Sequence, residues 1–101
     1  MPKYRRYGYI IHQTNVGEGG EIVDAEVIGF LLNPKKAYEA TDIAVKSLMS
    51  VYAGSKVVSD ARETVKTGSP GEHMRTVLIE YPDGSRTALA LERWYVVVGK
   101  E

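Results

Sequence analysis

A full set of helix signals is present in NPKKAYEATDIAVKSLMSVYAG, residues 33–54. Asn33 can cap the free N–H groups of a first turn, Pro34 is tolerated at the first helical position, and Gly54 is typical of a helix end. Small and apolar residues recur every three or four positions, at Ala37, Thr41, Ala44, Leu48 and Tyr52. Charged residues take the opposite side, at Lys35, Lys36, Glu39, Asp42 and Lys46. The spacing predicts an amphipathic helix from Pro34 to Ala53 that covers one face of a sheet.

Two strands are predicted before this helix. Residues 4–13, YRRYGYIIHQ, are rich in β-branched and aromatic side chains, and residues 21–32, EIVDAEVIGFLL, alternate with a period of two. The glycines of residues 17–20 suit a turn between them. We therefore expect a hairpin in which one face of the second strand is made up of Val23, Ala25, Val27 and Leu31.

Three more strands are predicted after the helix. Residues 56–67, KVVSDARETVKT, fit either a helical stripe or a strand, and we favour the strand. Residues 73–81 and 86–98 form two strands joined by the turn Tyr81-Pro82-Asp83-Gly84. The order is β-β-α-β-β-β, which predicts an α+β fold with a single domain over residues 1–101. One long amphipathic helix lies on one face of a mainly antiparallel five-stranded sheet, as a two-layer sandwich.

Composition narrows the function classes. The chain has 13 basic and 13 acidic residues, so no overall charge attracts it to nucleic acid or an anionic membrane. It has no cysteine, which excludes disulfides, thiolate metal sites and cysteine nucleophiles. No segment approaches the roughly 18 apolar residues that span a bilayer, so we expect an intracellular, cytoplasmic protein without a membrane partner. No cofactor signature and no metal-ligand spacing is present. Asn and Gln are scarce, which is a bias of heat-adapted proteins.

Basic and aromatic residues interleave in the first strand. Arg5 and Arg6 could contact phosphates, while Tyr7 and Tyr9 could offer rings on which bases stack. Residues 5–12 resemble the RNP1 element of RNA-recognition motifs and cold-shock domains, in which a basic residue precedes an aromatic-Gly-aromatic run and aliphatic residues. This resemblance implies single-stranded nucleic acid as a ligand. The alternative is that both tyrosines face the helix as part of the core.

The second face of the strand at residues 21–32 is apolar at Ile22, Ile28, Phe30 and Leu32. One helix covers only one side of a five-stranded sheet, so these side chains need another partner. A second copy of the chain is the simplest partner, because two-fold homodimers are the commonest soluble assembly. Another protein, bound at this face or at a strand edge, is one alternative. The other is that strand twist, a long loop or a second short helix at residues 59–67 covers these side chains within the monomer.

A catalytic site is a third hypothesis. Asp24 and Glu26 share a strand face, and His12 on the adjoining strand could join them in a small hydrolytic site. Lys35 and Lys36 in the first helical turn could form a weak anion site with the helix dipole. We therefore rank a non-catalytic binding module first, with single-stranded nucleic acid as its most concrete ligand. A homodimeric or protein-binding module comes second, and an enzyme third.

Overall fold

The computed structural model describes residues 4–62, 65–66 and 71–98. Its elements in chain order are β1 (Tyr4–Val16), β2 (Ile22–Leu31), α1 (Pro34–Val51), β3 (Lys56–Ala61), β4 (Val65–Lys66), β5 (Gly71–Glu80) and β6 (Arg86–Val98). The predicted α+β fold, with one helix and one antiparallel sheet, is confirmed. The segment that fitted both a helix and a strand forms β3 and β4, while its residues 63, 64 and 67 lie outside the described part.

The sheet has the order β2-β1-β6-β5-β3, and β4 also pairs with β5. Because β3 and β4 both pair with β5 at different positions, they occupy successive parts of one edge. β2 forms the other edge, and β6 lies between β1 and β5. The strand at the centre of the sheet is thus the last of the described strands in the sequence.

Helix α1 begins and ends close to the predicted positions. The Asn33 side chain accepts a hydrogen bond of 3.2 Å from the backbone N–H of Lys36, and Pro34 follows in the first turn. The helix ends at Val51, two residues before the predicted end, and Gly54 has a φ of +81° in the turn that follows. Of the helices in the described part, none is long and apolar enough to cross a membrane.

The core lies between α1 and one face of the sheet. One cluster of buried side chains contains Tyr9, Ile11, Ala37 and Leu91. A second cluster contains Val77, Ile79 and Leu89, against which the helix packs Ala44, Val45, Leu48 and Met49. The helical face predicted from the three- and four-residue spacing is therefore the face that meets the sheet.

A β-bulge in β2 changes which of its side chains share a face. Ile11 pairs with Gly29 but His12 pairs with Val27, so Ile28 is an extra residue in β2. Paired residues in an antiparallel ladder point to the same side, and the extra residue shifts the alternation by one. Val27 therefore lies on the side away from Leu31. The single face expected for Val23, Ala25, Val27 and Leu31 is wrong for this reason.

A buried guanidinium connects three elements. Arg75 on β5 is only 4% exposed and donates hydrogen bonds of 3.0 and 2.9 Å to the two carboxylate oxygens of Asp60 on β3. A further bond of 2.7 Å goes to Asp42 on α1. The hydrogen bonds from Arg75 lower the pKa of Asp60. Asp42 was expected on the solvent side of the helix, but the long Arg75 side chain reaches its carboxylate.

The hairpin between β5 and β6 depends on one glycine. The N–H of Gly84 donates to the carbonyl of Tyr81 at 3.0 Å, and Gly84 has a φ of +88°. A Cβ atom at this position would meet Glu18 at an ordinary 3.4 Å, so backbone conformation and not space is the constraint. This φ is unfavourable for residues that carry a Cβ.

We expect Gly84→Ala to lower the free energy of unfolding by about 1 kcal/mol, because alanine resists a left-handed backbone. Urea unfolding followed by circular dichroism measures the loss. Gly84→Asn is the matched control and should lose less, since asparagine adopts this conformation more readily. Equal stability of the alanine variant and the unmodified chain would contradict the role given to this backbone position.

Candidate functional site

The side of the sheet that faces away from α1 carries no second layer in the described part of the chain. Neighbouring residues of a strand point to opposite faces. The strand registers therefore place on this side the residues that alternate with the core residues along each strand. We call it the uncovered face; its residues include Ile10, His12, Thr14, Val27, Phe30, Thr76, Leu78, Ala88, Ala90, Glu92 and Trp94. A patch of small side chains lies within it, at Thr14, Thr76, Ala88 and Ala90, and its margin along β2 has large apolar ones.

The predicted partner residues lie along that margin. Ile22 is 70% exposed, Phe30 57% and Leu32 50%, and Ile28, the extra residue of the bulge, is 39% exposed. Phe30 pairs with Ile10, which the register places on the uncovered face. The described strands leave these large apolar side chains in contact with water, so they remain candidates for a partner contact.

Three polar side chains converge on one carboxylate in the uncovered face. Nε2 of His12 lies 3.0 Å from Oε1 of Glu92, and Nε2 of His73 lies 3.5 Å from Oε2. The indole N–H of Trp94 donates to Oε1 of Glu92 at 3.4 Å. These residues come from β1, β5 and β6, so only the strand order brings them together. Among the described residues, no group of three or more His, Cys, Asp or Glu side chains is arranged so that it could hold a metal ion.

The hydrolytic grouping expected from the sequence is not formed. Asp24 pairs with Asn15 and Glu26 with Gln13, whereas His12 is the neighbour of Gln13 along β1. Neighbours in a strand point to opposite faces, so His12 lies on the other side of the sheet from both acids. The bulge in β2 keeps both acids on the helix side. His12 contacts Glu92 instead, and no local signal in the sequence identifies this pair because it depends on the pairing of β1 with β6.

The two tyrosines of β1 do not form an open pair of rings. Tyr9 is 6% exposed and packs in the core with Ile11, which corresponds to the alternative stated for the first strand. Tyr7 is 40% exposed, and the Arg93 guanidinium lies 4.3 Å from its ring centroid. The side chains of Arg5 and Arg6 lie outside the described part. Nucleic-acid binding by these four residues stays a prediction, without the two-ring platform on which it was based.

Lys35 and Lys36 are exposed at the start of α1. Nζ of Lys36 lies 3.8 Å from Oε2 of Glu39 in the next turn, so part of its charge is neutralised within the helix. The anion site also stays a prediction.

Comparison of the chain with protein-family models, with curated proteins and with solved structures finds no match.

Proposed function

We propose that this chain is a non-catalytic interaction module that binds a second copy of itself through the uncovered face. The observation that carries the proposal is a sheet of five strand positions with its only described helix on one side. A sheet with an apolar second face is stable in water when that face packs against another layer. A second copy supplies this layer symmetrically, because in a two-fold dimer the same surface serves both partners.

The size of the uncovered face suits a dimer. Five neighbouring strands span about 24 Å and ten residues of a strand extend about 33 Å, which gives an area of about 800 Å². A standard stable interface buries about 800 Å² on each partner. One face of this sheet is therefore large enough to hold two copies together.

The charged groups on this face are compatible with removal from water. The two carboxylates that the described registers place there are Glu80 and Glu92. Glu92 contacts His12 and His73. Oε2 of Glu80 lies 2.9 Å from Nη2 of Arg86, and its Oε1 lies 3.8 Å from Nζ of Lys56. A carboxylate that already has partners costs less to bury than a lone one. Thr14, Thr76, Ala88 and Ala90 form a patch of small side chains on this face, which allows two sheets to approach to about 10 Å there.

The experiment is to measure the mass of the chain in solution by sedimentation across a dilution series from millimolar to micromolar. We expect a monomer–dimer equilibrium in the unmodified chain. Ala90→Arg, on the central strand of the uncovered face, should weaken the dimer at least about a hundredfold, because it would bury a charge without a partner. In the monomer this side chain points to solvent, so the fold should persist.

Ile43→Arg is the matched control. Ile43 lies on the outer side of α1 and is 67% exposed, so the same charge is added at an apolar surface position away from the proposed contact. It should leave the dimer unchanged. A chain that stays monomeric at millimolar concentration would overturn the proposal. A dimer that tolerates Ala90→Arg would also overturn it, because the contact would then lie elsewhere, as at the β2 edge.

A further inference from the structure

A cavity of about 270 Å³ lies on the helix side of the sheet, between the end of α1 and the β5–β6 hairpin. Asn15, Asp24 and Thr87 of its lining lie on the helix side of the sheet, opposite the uncovered face, so a ligand bound to them does not depend on dimer formation. Sites for small molecules usually begin at about 300 Å³. The volume suits a ligand no larger than a single sugar unit.

A chain of hydrogen bonds forms the polar wall of the cavity. The hydroxyl of Tyr81 donates to Oγ1 of Thr87 at 2.7 Å, and the hydroxyl of Thr87 donates to Oδ1 of Asn15 at 2.8 Å. Nε2 of Gln13 donates to the same Oδ1 at 3.4 Å. Nδ2 of Asn15 then donates to Oδ1 of Asp24 at 2.6 Å. Both hydroxyl protons are thus used inside the protein, so the hydroxyls and the carboxylate offer lone pairs to a ligand.

The charges around the cavity are negative in balance. Asp24 and Asp83 line it, and the hydroxyl and N–H of Ser85 donate to Asp83, which lowers the pKa of that carboxyl. The basic residue among the described lining is Arg86, but the register places its side chain on the uncovered face, where its Nε and Nη2 donate to Oε2 of Glu80 at 3.1 and 2.9 Å. No basic residue lies in the last turn of α1, so the negative end of the helix dipole beside the cavity is not compensated.

Two aromatic rings complete the site. The ring centroids of Tyr52 and Tyr81 lie 4.8 Å apart with their planes tilted by 51°. Aromatic faces attract cations, and lone pairs require donors. We propose that this cavity binds a small hydroxylated organic cation, with the chemistry of an amino alcohol or amino sugar. Its ammonium group would lie near Asp24, and its hydroxyls would donate to the polar wall.

The test uses three probes of similar size, namely glucamine, sorbitol and gluconate, which share a six-carbon hydroxylated chain and carry a positive, zero and negative charge. The protein is titrated with each, and its backbone amide signals are followed by NMR. With glucamine we expect saturable shifts confined to the cavity lining, at residues such as Asn15, Asp24, Tyr52 and Thr87. Sorbitol should bind at least about tenfold more weakly, and gluconate should give no saturable shift, because the charge-assisted contact is absent or repulsive.

Asp24→Asn keeps the shape of the side chain and removes its charge, so it should weaken glucamine binding about tenfold. Glu26→Gln is the matched control, because Glu26 lies two residues further along the same side of β2 and outside the cavity. It should bind glucamine as the unmodified chain does. Equal binding of all three probes, no confined shifts with glucamine, or unchanged binding in Asp24→Asn would each overturn the proposal.

Discussion

The Leu89→Ala variant is expected to lose about 3 kcal/mol of unfolding free energy. Leu89 has no exposed surface and packs with Val77 and Ile79 beneath the second half of α1. Removing its side chain loses apolar burial and leaves a cavity that the two strands and the helix cannot readily fill. Urea unfolding at low micromolar protein concentration measures the loss without a contribution from association.

Leu78→Ala is the matched control for this change. Leu78 lies on the neighbouring strand β5, pairs with Ala88, and points to the uncovered face. It is half-buried, so the same truncation should cost about 1 kcal/mol in the monomer. If both variants lost the same free energy, the core could not lie on one side of the sheet as described.

The double change Asp42→Ala with Asp60→Ala is the second large effect, with an expected loss of about 3 kcal/mol or more. It would leave the guanidinium of Arg75, which is 4% exposed, without either of its two carboxylate partners. An uncompensated buried charge is among the most destabilising changes in a protein. Thermal and urea unfolding of the purified variant measure the effect.

Arg75→Met provides the comparison, because it removes the charge and keeps an apolar side chain of similar length. Asp42 and Asp60 are partly exposed and can return to water, so this variant should lose only about 1 kcal/mol. A double variant no less stable than Arg75→Met would contradict the inference that the buried charge is the source of the loss.

This cluster also gives a pH signature. The hydrogen bonds from Arg75 lower the pKa of Asp60 in the folded chain. A lowered folded pKa adds stability that is complete above the unfolded pKa of about 4 and is lost as the pH falls through the folded value. Between about pH 6 and about pH 2 the unmodified chain should therefore lose more unfolding free energy than Arg75→Met does.

The helix and the succession of strands along the chain were predictable because their signals are local, whereas the order of the strands in the sheet was not. The Asn33 cap, the spacing from Ala37 to Leu48 and the Pro82-Asp83-Gly84 turn each act over a few residues. The face that a strand turns to the core was harder to predict. The pattern of β1 suited Tyr9 both as a stacking ring and as a core residue, and packing against α1 decides between them.

The candidate sites were less predictable because they depend on pairing between distant strands. The bulge at Ile28 exists only in relation to β1, and it moves Val27 to the other face. The contact of His12 and His73 with Glu92 requires β6 to lie between β1 and β5. Neither register could be read from the sequence, so the histidine cluster was missed and the acids on β2 were grouped with the wrong partner.

The central place of β6 has a consequence for how the chain folds during synthesis. β1 is paired with β6 over its whole length, from Tyr4 with Val98 to Val16 with Arg86, so most of its contacts join residues far apart in sequence. When the ribosome has released only β1, β2 and α1, the apolar residues under the helix still lack the strands that complete their layer. Long-range pairing of this kind folds slowly. The nascent chain would therefore expose apolar surface until β6 emerges from the ribosome. A chaperone that binds during this interval would protect the chain from aggregation.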